Sequence, residues 1–72
     1  GGDEEYRDLA EARSLITALA GLLDASGPDL GLHRKPIADG LKALQQAFRE
    51  ASAIPDEPGR GPGEKYTGPL KR

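Results

Sequence analysis

The sequence predicts an all-α protein, an antiparallel helical hairpin followed by a disordered tail rich in proline and glycine. Three observations lead there. Two segments repeat their apolar residues in steps of three and four, which is the period of a helix. A connection carrying two glycines and two prolines, "GPDLGLHRKP", lies between them. The last eighteen residues hold four prolines and four glycines with Leu70 as their one aliphatic side chain, too little to build a core.

The first helix is expected over residues 3–26. Leu9, Ala12, Ile16, Leu19 and Leu23 step by 3, 4, 3 and 4, and Leu15 and Leu22 widen that stripe on one flank. Arg7, Glu11, Ser14 and Gly21 occupy the opposite side. Asp3, Glu4 and Glu5 favour the positive end of the helix dipole, and Gly27-Pro28 stops the helix.

The second helix is expected over 36–54, where Ile37, Leu41, Leu44, Phe48 and Ala51 step by 4, 3, 4 and 3. Pro36 suits a first helical position, since its missing N–H would have no partner there. Gly40 weakens the helix by about 1 kcal/mol relative to alanine, and Pro55 ends it.

Helices of these lengths, about 36 and 28 Å at 1.5 Å per residue, match well enough to pack side by side. The short connection favours antiparallel neighbours. A two-helix layer still leaves part of each stripe in water, because the stripes are wider than a single coiled-coil seam. A second copy or a protein partner would complete a four-helix bundle. The expected interface is Leu9, Ala12, Ile16, Leu19, Leu23, Ile37, Leu41, Leu44 and Phe48. In the connection, Leu30 and Leu32 are expected to close the end of the core, while His33, Arg34 and Lys35 suit the negative end of the first helix. The same five residues form a candidate contact patch for an acidic partner. The chain thus divides into an interaction module, 1–54, and a flexible tail or linker, 55–72.

The chemistry-bearing residues argue against catalysis. There is no cysteine among the 72 residues, so neither a disulfide nor a thiolate metal site is available, and His33 is the only histidine. Ser14, Ser26 and Ser52 lie in or beside helices with no adjacent base. The stretch "PGRGPGEK" invites comparison with phosphate-binding loops, but Glu64 stands where both glycine fingerprints require glycine. No cofactor or small-molecule substrate is expected. Tyr6 and Leu9 make a Tyr-x-x-Leu spacing that reads as a packing pair one helical turn apart.

Residues 1–54 carry nine acids against six bases, a net −3 that repels nucleic acid. The longest apolar run, Leu15 to Leu23, is nine residues, about half of what a membrane span needs. With no signal peptide and no cysteine, the expected location is cytoplasmic. The absence of methionine is read as marking a piece or a processed product of a longer chain. The function expected is a non-catalytic docking or oligomerisation module, acting on itself as a homodimer or on a protein partner. The alternative is a structural or regulatory fragment packed permanently on a larger assembly or enzyme. A weaker reading makes the Pro55-to-Pro58 spacing a ligand for an aromatic groove.

Overall fold

The computed structural model describes residues 2–70 and is helical, with no strand among the described residues. Helix α1 spans Gly2–Ser26, a 3-10 segment spans Gly27–His33, α2 spans Arg34–Ala51 and a short α3 spans Glu64–Thr67. An unbroken helix from 2 to 51 would be about 75 Å long, yet the longest dimension of the molecule is 42 Å. The chain folds back, and Gly31 is where it breaks: its φ of 54° and ψ of −128° lie outside helical space and favour glycine. α2 then runs back along α1. Gly27 lies against Arg34 at one end of the pair, and the Arg13 guanidinium stacks over the Phe48 ring, 5.0 Å from its centroid, toward the other.

The core between the two helices consists of Ile16, Ala20 and Leu23 from α1 and Leu41 and Phe48 from α2. Leu9, Ala12, Leu19, Leu30 and Ala38 pack around it, partly buried. α2 stops at Ala51, three residues short of the expected end. Ser52 turns extended (φ −79°, ψ 129°), and both its hydroxyl and its N–H donate to the Phe48 carbonyl, at 2.8 and 3.1 Å. Side-chain competition for a backbone acceptor ends the helix before Pro55 has to.

The expectation of a disordered tail is corrected for residues 55–70, which form a strap folded back over one side of the helix pair; Lys71 and Arg72 lie outside the described residues. Directed hydrogen bonds tie the strap to the helices. Gln45, 3% exposed in α2, donates to the Pro62 carbonyl at 3.0 Å and to the Thr67 hydroxyl at 3.2 Å. Glu64 Oε1 accepts the N–H groups of Gly59 and Leu70, at 3.0 and 3.2 Å, and so closes the strap into a loop around its own carboxylate. Arg13 Nη2 donates to both carboxylate oxygens of Asp56, at 3.0 and 2.8 Å, and Arg49 donates to the Asp56 carbonyl at 3.2 Å.

Glycine allows the close approach. Gly63 is left-handed, with φ 77°, and a Cβ added there would lie 2.7 Å from the Ala20 Cβ. Pro62, Gly63 and Glu64 are buried as a result. No helix among the described residues is long and apolar enough to cross a membrane.

Candidate interaction face

At about 100° per residue, the neighbours of Ile16 on α1 separate into two sides. Ala20, Arg13, Thr17 and Gly21 turn one way; Leu19, Leu15 and Leu22 turn the other, about 60–120° round from Ile16. On α2, Gln45, Ala38 and Arg49 turn one way from Leu41, and Leu44, Ile37, Gly40 and Ala47 turn the other. Because the second helix runs back along the first, equal senses of rotation lead to the same side of the pair. The strap covers the side of Ala20, Gly21, Arg13, Gln45 and Arg49: Gly63 approaches Ala20, the Tyr66 ring comes within 3.2 Å of where a Gly21 Cβ would be, and Arg13, Gln45 and Arg49 supply its hydrogen bonds.

The strap leaves the opposite side open. There Leu15 is 71% exposed, Leu22 63%, Leu44 48% and Ile37 36%, with Leu19 partly buried between them. Gly40, Ala43, Ala47 and Ala51 are exposed along the outer edge of α2. No charged residue falls on the α2 half of this side from Pro36 to Ala51. On α1, Glu4, Asp8 and Glu11 also fall on this side, all of them toward the first turns of the helix. An isolated exposed leucine is ordinary; a group of them with no charge between them makes this side the candidate for a contact surface.

The residues expected at an interface therefore divide. Ile16, Leu23, Leu41 and Phe48 are buried inside the single chain, while Leu9, Ala12 and Leu19 are partly buried against that core. Ile37 and Leu44 remain available on the open side. Leu15 and Leu22, which the periodicity places only on the flank of the stripe, are its most exposed members. The physical reason is the width of the stripe: its centre meets α2, and the flank away from the strap has no intramolecular partner. The wide spread of apolar residues from Leu15 to Leu23 was the available signal.

The loop patch divides as well. Leu30 packs on the end of the core, but Leu32 is 96% exposed and closes nothing. Three residues per turn puts Gly27 and Leu30 on one side of the 3-10 segment, and the break at Gly31 swings Leu32 outward. His33, Arg34 and Lys35 are exposed. The Arg34 side chain lies against Gly27, and Lys35 is paired with Asp39 at 3.0 Å one turn on.

A cleft of about 410 Å³ opens where the strap meets the two helices near the loop, floored by Leu23 and Leu41 and walled by Tyr66. Its rim sets Asp24 and Asp39 against Arg34 and Lys42, so it selects no ligand of one sign. Among the described residues, no group of three or more His, Asp or Glu side chains is gathered as metal ligands would be. Compared with known families, curated proteins and solved structures, the chain matches no family, no curated protein and no solved structure.

Proposed function

We propose that this chain is a non-catalytic protein–protein docking module, an antiparallel helical hairpin that presents its unstrapped side to another protein and is completed to a four-helix bundle there. The observation that carries the reading is the asymmetry of the pair. One side is closed by the chain's own strap through directed hydrogen bonds, and the other keeps Leu15, Leu22, Ile37 and Leu44 exposed without a charge among them. Charge depletion at the centre of a patch, with polar groups at its edge, is the composition of interface cores. The strap does for one side what a third helix would do in a bundle, so a single partner surface suffices for the rest.

Site-specific photo-crosslinking in the native cell tests this. A photoreactive residue in place of Leu22, on the open side, is expected to give discrete protein adducts. The same residue in place of Lys42, exposed beside the strap, is expected to give few. No adducts at position 22, or equal adducts at both positions, would refute the docking reading.

A further inference from the structure

The open face has a composition that bears on what covers it. Leu15, Leu22, Leu44 and Ile37 together expose on the order of 400 Å² of mostly apolar surface, within the range at which such patches on single chains serve binding. Beside the leucine row of α1 lies the row of Gly40, Ala43, Ala47 and Ala51 on α2, so one face offers both knobs and shallow places to receive them. Arg13 sits level with Phe48, and Ala20 and Gln45 both meet Gly63. By that register Leu15 is level with Ala47, and Leu22 with Gly40.

We propose that the occupant is a second copy of this chain, its α1 laid over α2 of the first about a two-fold axis parallel to the helices; this rests on the docking reading above. Such an axis makes the contact isologous. Leu15 and Leu22 of each copy then face Ala47 and Gly40 of the other, and every neighbouring helix in the resulting four-helix bundle is antiparallel. The centre of the face, Leu15, Leu22, Ile37 and Leu44, carries no charge, so a second copy meets it there without repulsion, while Glu4, Asp8 and Glu11 lie toward the first turns of α1, away from that centre. Two copies of the face, with their flanking alanines, bury roughly 1,000 Å², near the least that a specific interface uses. The expected dimer is therefore reversible.

Gly40 provides the discriminating variant. It has no left-handed backbone to justify it, and a Cβ built on it meets no atom within 4 Å. Within one chain, Gly40→Leu improves helix propensity at an exposed position where its Cβ meets nothing. Across the proposed two-fold it fills the place that Leu22 of the second copy occupies.

The test is sedimentation equilibrium of the 72-residue chain, of 7.6 kDa, from about 10 µM to about 1 mM, with Gly40→Leu and Leu22→Arg alongside and far-ultraviolet circular dichroism on each. The unsubstituted chain is expected to approach twice the single-chain mass. Both variants are expected to dissociate at least tenfold more readily while their helix content holds or rises. A chain that remains single throughout the range overturns the second copy. So does a Gly40→Leu dimer as tight as the original. Should the chain stay single while position 22 crosslinks to a different protein, the second copy is excluded and the docking reading stands; a single chain with no crosslinks removes both.

Discussion

Replacing Gly63 by alanine should undock the strap. The left-handed φ of 77° at Gly63 costs an alanine roughly 1–2 kcal/mol by itself. The new Cβ would also lie 2.7 Å from the Ala20 Cβ and 3.2 Å from Gln45 Nε2, inside ordinary van der Waals contact. Overpacking of that kind costs about another 1–3 kcal/mol unless the backbone moves. The two terms together are about 2–5 kcal/mol, against a local docking free energy built from a few hydrogen bonds worth about 1 kcal/mol each. The strap should therefore release while α1 and α2 persist.

Hydrogen exchange reads this directly. The amides of Tyr66, Thr67 and Gly68 donate to the carbonyls of Gly63, Gly63 and Glu64, at 2.9, 3.2 and 2.8 Å. Their protection should vanish in Gly63→Ala while amides in the middle of α1 and α2 stay protected. Gly68→Ala is the comparison: at φ 84° and ψ 170° its backbone is one that essentially only glycine adopts, but no atom lies within 4 Å of its Cβ position. It should weaken the strap by the backbone term alone. Ala20→Gly added to Gly63→Ala should restore part of the lost protection, because it removes the Cβ that the new one meets at 2.7 Å; no relief would refute the close approach to Ala20, and no effect at 63 or 68 would refute a docked strap.

Three further outcomes follow from the same contacts. Gln45→Ala should cost about 1–3 kcal/mol in urea unfolding, since it strands the Pro62 carbonyl; Gln45→Glu should be worse at neutral pH, because a carboxylate cannot donate to that carbonyl and is buried as a charge. Asp56→Ala should cost no more than about 1 kcal/mol, the ion pair with Arg13 being partly exposed at 45% and 28% of the two side chains. A double-mutant cycle of Asp56→Ala with Arg13→Ala should give a coupling of that size, and a coupling of several kcal/mol would contradict it. Leu30→Ser should lower the melting temperature by several degrees and Leu32→Ser should leave it unchanged, because only Leu30 packs on the core; equal shifts would contradict the turn at Gly31.

The two long helices were legible because each repeats apolar residues at the helical period over four or more turns, a signal that packing reinforces. The strap was not, because its docking uses none of that signal. It depends on the left-handed backbone of Gly63, on Glu64 gathering two N–H groups and on Gln45 reaching across from α2. Hydropathy registers none of the three.

A trace was nevertheless present. Gln45 stands between Leu41 and Phe48 on the inward stripe of α2, and a long polar side chain at a core position demands a partner. The partner is the carbonyl of a proline seventeen residues on. The open face was only half legible for a related reason. Periodicity marks which residues leave water, but it does not divide a wide stripe between the chain's own second helix and an outside surface. The division needs to know which side the strap takes.

Methyl cross-saturation tests the central claim, that the chain meets other proteins through the side the strap leaves open. The chain would be deuterated, with its leucine, isoleucine and alanine methyl groups protonated, and bound to its unlabelled associate, whether a second copy or the protein captured at position 22. Saturation should transfer to the methyls of Leu15, Leu19, Leu22, Ile37 and Leu44, and to those of Ala43 and Ala47. It should be absent at Leu23, Leu41 and Ala38, which face the core or the strap. Transfer centred on Ala38 and Leu70, with Leu15 and Leu22 silent, would contradict the account.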